Sequence, residues 1–263
     1  MGNFLSLVQN ENMKIYRRLR TWIMLALVVL LPILFASIIA INENRFGPHT
    51  EAWSAASNLS FIYFLVSIFS VVIAADIVAS EFTWGTIKLL LIRPWTRSKV
   101  LLSKLLAVLL FAIGISILFM IVTIAISQIL FSSGPTATNM EQSNFGHFSL
   151  MIFYKFVDLL VISIFAFMIS TVFRTSGLAI GLSMFLLLAG GILGAILNPV
   201  KYAWAKYLIF NNMDLSQYDM WASAGITAPS GMSLGFSATV LAVYVVIFLV
   251  IAWLVFKRRD VAA

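Results

Sequence analysis

Six runs of about 20 apolar residues constrain this chain more than any other feature, at roughly 21–41, 58–79, 100–131, 150–173, 177–197 and 235–256. A helix of about 20 residues crosses about 30 Å of hydrocarbon, and a backbone in lipid must satisfy its polar groups within the segment, so runs of this length read as helices. Composition agrees: of 263 residues 62% are hydrophobic and 10% charged, against about a quarter charged in a soluble domain. The fold class is therefore all-α: a polytopic membrane protein with six transmembrane helices in a single domain over 1–263. The third run is longer than a straight crossing needs, which predicts tilt, a kink near Gly114, or a helix emerging from the membrane.

Lysine and arginine near span ends are retained on the cytoplasmic side. With both termini inside, the inner set is Lys14, Arg17, Arg18, Arg20, Lys88, Arg93, Arg97, Lys99, Lys104, Arg174, Lys257, Arg258 and Arg259, and the outer set is Arg45, Lys155, Lys201 and Lys206. The net charge of +7 is thus a topology signal and not one for nucleic acid. The first run is too long for a signal peptide and is followed by five more, so it reads as an uncleaved first helix.

Three segments outside the spans carry information. Over residues 1–20, Phe4, Leu5, Val8, Ile15, Tyr16 and Leu19 share one arc at helical spacing while Lys14, Arg17, Arg18 and Arg20 fall outside it. Leu7 and Met13 break the pattern and Asn12 interrupts the apolar arc; the expectation is an amphipathic interfacial helix. Residues 80–99 are too short and too charged to span. Pro94 disfavours helix at Arg93, Thr96 or Ser98 is placed to cap the next helix, and the reading is a cytoplasmic elbow. Trp84 and Trp95 sit at headgroup level there, with Glu81, Arg93, Arg97 and Lys104 free for a partner. The plainer alternative is a topogenic loop, which accounts for the bases but not for Glu81. Within 198–234 the aromatic run 202–210 reads as a re-entrant or interfacial helix, with Trp204, Tyr207, Phe210 and Trp221 as outer gate candidates or simple belt anchors, and Asp214 and Asp219 at its rim.

The fifth run carries Gly177, Gly181, Gly190 and Gly194 at small-xxx-small spacing, which suits close packing against another helix, within the chain or in a second subunit. Ionisable residues within the spans are few: Asp76 near the inner end of the second, where it snorkels or pairs with a base, and Asp158 one turn after Lys155, a spacing that suggests a local ion pair. Enzyme chemistry finds no footing. His49 and His147 lie in outer loops outside any zinc frame, cysteine is absent, and no nucleophile elbow appears. Nor is there a phosphate-binding G-x-x-x-x-G-K-[ST] loop, so the chain has no nucleotide-binding domain and binds no cofactor of its own.

The order of these features resembles the type-2 permeases of bacterial ATP-binding-cassette exporters. A basic N-terminal helix and six spans frame a Glu81-x-x-x-Gly85-Thr86 elbow that leads to Arg93-Pro94-x-x-Arg97 and then Lys104. The segment with Lys206 to Phe210 and Asn212 to Leu215 is similar to that of small members serving antimicrobial-peptide self-protection or export of amphipathic peptide toxins such as phenol-soluble modulins. The resemblance implies a homo- or heterodimer of permeases in the bacterial plasma membrane, each seated on a separate cytoplasmic ATPase that binds ATP and Mg. It implies that Glu81, Arg93 and Arg97 contact the ATPase and that Phe82 and Trp84 pack the elbow, with Gly85, Thr86, Pro94 and Lys104 completing the motif. Lys14, Arg17 and Arg18 would form a second ATPase-facing surface. The cargo it implies is a hydrophobic or amphipathic peptide drawn from the cell or from membrane lipid. Lipid or drug efflux, a non-transport scaffold and a membrane enzyme are the alternatives.

Overall fold

The computed structural model describes residues 4–46, 50–85, 95–131, 145–173, 175–218 and 232–258. Eight α-helices form among them: α1 (Phe4–Tyr16), α2 (Leu19–Phe46), α3 (Ala52–Leu59), α4 (Tyr63–Thr83), α5 (Arg97–Leu130), α6 (Phe145–Val172), α7 (Ser176–Ile196) and α8 (Leu234–Arg258). A 3-10 turn at Ser60–Ile62 joins α3 and α4 into one run, Ala52–Thr83, so six helical runs are long and apolar enough to cross a membrane. The all-α, six-span architecture expected from the apolar runs is the one observed. The second run is longer at both ends than its apolar window, because the buried alanines of α3 and the polar end of α4 are helical too.

α4 lies at the centre, flanked by α5, α6 and α7. Val66, Val71, Ala74, Ala75, Val78 and Ala79 are fully buried and fall on more than one face, as befits a helix that is apolar all round. The small residues let α6 approach closely, and there the fully buried Ser170 Oγ accepts from the backbone N–H groups of Val78 (3.2 Å) and Ala79 (2.9 Å). Tyr63, at the start of α4, shares a hydrogen bond of 2.8 Å with Ser116 of α5 and stacks edge-on against Phe119. α2 packs along α5, and α8 packs on α6 and α5. α2 and α7 bury least of their surface.

The long third span is a single helix of 34 residues, about 51 Å at 1.5 Å per residue. It begins at a Thr96 cap whose Oγ1 accepts from Lys99 N (3.4 Å) and runs on through Gly114. Gly114 lies beside the last residue of α1: a Cβ there would stand in ordinary contact with the Tyr16 hydroxyl, at 3.6 Å.

Two ends of the bundle follow from this topology. The basic end gathers α1, the starts of α2, α5 and α7, and the ends of α4, α6 and α8. The opposite end gathers the remaining termini and the segment 197–218. The segment expected to be helical over 202–210 forms two short 3-10 helices, Ala203–Tyr207 and Ile209–Asn211, and not one continuous helix. Side-chain amides hold them. Asn211 Nδ2 donates to the Leu197 and Ala205 carbonyls (2.9 and 2.8 Å), and Asn212 Nδ2 donates to those of Lys206 and Leu208 (both 2.8 Å). These amides satisfy carbonyls that a continuous helix would have satisfied itself.

Candidate functional site: a charge network at the basic end

The corner between α1 and α2 is built by side chains that reach back. α1 ends at Tyr16, leaving terminal carbonyls without helical partners. Thr21 Oγ1 donates to the Ile15 carbonyl (2.6 Å) and Trp22 Nε1 to that of Tyr16 (2.9 Å), so the first turn of α2 caps α1. This fixes α1 against α5, with Leu7, Val8, Glu11 and Ile15 turned inward. The buried face therefore differs from the expected arc. Leu7, which broke the pattern, is buried, whereas Leu5 and Leu19 are exposed, and the face that docks contains a glutamate.

Glu11 enters a closed ring of four charges drawn from three helices. Its Oε1 accepts from Lys14 Nζ (2.8 Å) and its Oε2 from Lys104 Nζ (2.7 Å); Glu81 Oε1 accepts from both lysines, at 2.9 and 3.1 Å. The third hydrogen of the Lys104 ammonium goes to the Ile77 carbonyl (3.2 Å). Glu11, Lys104 and Glu81 are 3%, 0% and 9% exposed. Two positive and two negative charges alternate, so the ring is neutral, and complete pairing is what makes such a buried network tolerable. Burial opposes the charge on Lys14, but Glu11 and Glu81 outweigh it and hold its ammonium above the ordinary lysine range. One turn earlier on α4, buried Asp76 takes both Arg18 and Arg20 on its Oδ2, which joins the α1–α2 corner to α4 a second time.

This alters the expected roles of several residues. Glu81 and Lys104 were expected to be free for a partner chain; they are buried and paired within this one, holding α1, α4 and α5 together. Of Lys14, Arg17 and Arg18, the first and last are in ion pairs and Arg17 is exposed. Asp76 pairs with bases, one of the two options its position allowed. Glu11 was missed. It is the sole acid before residue 43 and sits between Leu7 and Ile15 at i, i+4 spacing, a pattern that marks a charge facing inward.

The ring brackets the segment between α4 and α5. α4 ends in the order Thr83, Trp84, Gly85, where Gly85 adopts φ +68°, the left-handed conformation that terminates helices with a glycine. Trp84 is 79% exposed and Phe82 packs partly against the core. Thr86, Arg93 and Pro94 lie outside the described residues, as do Lys88 and Arg174. Beyond them, Lys99 lies over the Trp95 ring at 5.8 Å, Arg97 Nη1 donates to the Lys257 carbonyl (3.3 Å), and Trp253 Nε1 donates to Ser98 Oγ (3.0 Å). On the other flank Ser176 N donates to Thr83 Oγ1 (3.4 Å). Both flanks of the segment are thus bonded to neighbouring helices: α1 and α7 on the α4 side, α1 and α8 on the α5 side.

At the opposite end the candidates separate. Trp204 and Tyr207 are exposed, Phe210 lies against Gly190, and Trp221, like Asp219, falls outside the described residues. A Cβ on Gly190 would meet the Phe210 ring at 3.6 Å, and one on Gly194 would meet Asn211 Oδ1 at 3.2 Å. Those two glycines receive the 3-10 turns and not a helix. Around Gly177 and Gly181 nothing comes within 4 Å, so their spacing serves no packing among the described residues. The expected Lys155–Asp158 pair is absent as well: Asp158 Oδ1 is buried without a hydrogen-bond partner.

The model of a family described as "Protein of unknown function (DUF2705)" matches residues 22–262. The uncharacterized protein YhcI of Bacillus subtilis (strain 168) is 33% identical, with 98% of this chain and 99% of that protein covered. The uncharacterized membrane protein YdbK of the same organism is 29% identical, with 95% and 99% covered. With its six apolar helical runs this chain is a multi-pass membrane protein, and it belongs to the DUF2705 family.

Proposed function

We propose that this chain is the transmembrane subunit of an ATP-driven exporter of hydrophobic or amphipathic peptides, powered by a separate cytoplasmic ATPase that carries the ATP and Mg. In this reading the chain is no enzyme itself. It sits in a bacterial plasma membrane with both termini and the basic end in the cytoplasm, and it pairs with a second permease subunit, identical or related. The observation that carries the reading is the bonding of both flanks of the segment between α4 and α5 to the surrounding helices. A push on that segment from outside the membrane reaches α1 and α4 through Glu81, and α1, α5 and α8 through Lys104, Arg97 and Ser98. Coupling of this kind needs a rigid connected element that moves as a unit. Exposed Trp84 at the start of the segment supplies a contact suited to a partner's groove.

The test is to co-express the chain with cytoplasmic ATPases of the cassette type from the same organism, purify by a tag on the permease and measure ATP turnover of the complex. A retained ATPase whose turnover falls several-fold on Trp84→Ala, with unchanged membrane insertion, supports the reading. Failure of the intact chain to hold any such ATPase favours a non-transport scaffold.

A further inference from the structure

A cavity of about 250 Å³ lies towards the opposite end of the bundle, between α4, α6, α7 and the 3-10 turns. Its wall is mixed. Phe61, Phe64 and Phe210 supply an aromatic side, Leu187, Gly190 and Gly191 form the α7 side, and Lys155, Asp158 and Asp214 bring ionisable groups. Phe61 and Phe64 are about half exposed, so the aromatic side is also a mouth.

The charges are what make this cavity unusual. Asp158 stands midway along a membrane-spanning helix with Oδ1 buried and unbonded, in a setting where a carboxylate is expensive unless it is paired. Hydroxyls nearby are already engaged: Tyr63 with Ser116 and Ser67 with the Tyr63 carbonyl. Asp214 is held at the rim by a local turn, its Oδ1 accepting from Ser216 N and Oγ (3.2 and 2.5 Å). Lys155 lines the same space, one base to two acids. An aromatic mouth, a membrane setting and a buried carboxyl oxygen without a partner together select one kind of occupant.

We propose that this cavity binds the cationic head of an amphiphile, an ammonium or guanidinium group with an apolar chain, with Asp158 as its counter-ion, Asp214 as a second anion at the rim and Phe61 and Phe64 against the chain. The volume admits a head group and a few carbons, below the usual size for a whole drug-like ligand, so the rest of the chain extends past the mouth. The proposal deepens the exporter reading, on which it rests only for calling this ligand a cargo; binding itself requires neither ATPase nor turnover.

The test therefore uses the full chain alone. Hexylammonium, soluble enough to partition little into lipid, is titrated calorimetrically into the protein in nanodiscs of zwitterionic lipid, with empty nanodiscs subtracted and hexanoate as the anionic control. Saturable binding of hexylammonium but not hexanoate is expected. It should weaken about tenfold or more in Asp158→Asn, as for loss of a charge-assisted hydrogen bond, and recover in part in Asp158→Glu. Asp214→Asn, at an exposed position that leaves the bundle intact, should weaken it a few-fold. Equal uptake of both ions, or equal binding by wild type and both asparagine variants, overturns the proposal. If hexylammonium binds but no ATPase is ever retained, the exporter reading fails and the cationic site stands.

Discussion

The two ends of this bundle treat their inward-facing acids in opposite ways. At the basic end Glu11, Glu81 and Asp76 each meet at least one cation, in arrangements that tie separate helices together. Towards the opposite end the half-buried Asp158 borders a cavity, its Oδ1 buried and without a bonded partner. A satisfied network rigidifies, while an unsatisfied buried group stores a demand that a ligand can meet. One end is thus satisfied within the chain, and the other keeps an acceptor that the chain itself does not meet.

The sharpest way to break this comparison is to open the ring. Lys104→Met removes the ammonium that binds Glu11, Glu81 and the Ile77 carbonyl, leaving two buried glutamates to share the half-exposed Lys14. Loss of about 3–5 kcal/mol is expected, as for removal of one partner from a buried ion pair. Thermal unfolding of the detergent-solubilised protein would record it as a large drop in Tm. Restoring neutrality with Lys104→Met and Glu11→Gln together should recover part of the loss, and an unchanged Tm in the single variant would mean the ring holds nothing together.

The opposite end should respond to shape before charge. Gly194→Ala places a methyl 3.2 Å from Asn211 Oδ1, the amide that holds the 3-10 turns, and about 1–3 kcal/mol should be lost to overpacking. Gly181→Ala meets nothing within 4 Å and exchanges glycine for a better helix former, so its Tm should hold or rise. Equal losses at both positions would mean that the glycines serve a contact the chain does not make with itself.

Why the spans were legible and the ring was not follows from the same residues. Twenty apolar residues in a row permit one solution, so the six helices can be read directly, and Thr96 and Gly85 mark helix ends by chemistry that is local. The ring depends on Glu11, Glu81 and Lys104, which lie far apart in sequence and meet only when α1 docks on α5. Taken singly, Glu81 and Lys104 look like solvated charges at a membrane surface, and only the place of Glu11 between Leu7 and Ile15 points inward. The aromatic run at 202–210 shows its helical character but not its helix type: Asn211 and Asn212 bond several carbonyls at once and break the run into two 3-10 helices. The family match adds no role for any of these residues, so the assignment rests on their geometry.

Charge removal gives the smaller contrast between the ends. Asp158→Asn takes away a half-buried carboxyl group whose Oδ1 is buried and bonded to nothing, so stability should stay level or rise by up to about 1 kcal/mol, the reverse of Lys104→Met. A clear fall in Tm would reveal a partner for Asp158 in the folded chain and remove the reason for its cavity to attract a cation.

The smallest effect belongs to Lys14, the most exposed member of the ring. Its ammonium is held above the ordinary lysine value of 10.5 because Glu11 and Glu81 outweigh the opposing effect of burial. A raised folded-state pKa means that Lys14 contributes stability fully below the unfolded value and loses it as pH rises through the folded one. The docking of α1 should therefore weaken slightly above about pH 10.5 and not near neutrality. With Trp22 bonded to the Tyr16 carbonyl at the α1–α2 corner, its fluorescence provides the readout, once the other tryptophans are replaced by phenylalanine. An alkaline transition seen with Lys14 and absent in Lys14→Met would place the looser side of the ring at Lys14. The same transition in both proteins would assign it to another group, and the ring would then owe its strength to Lys104 alone.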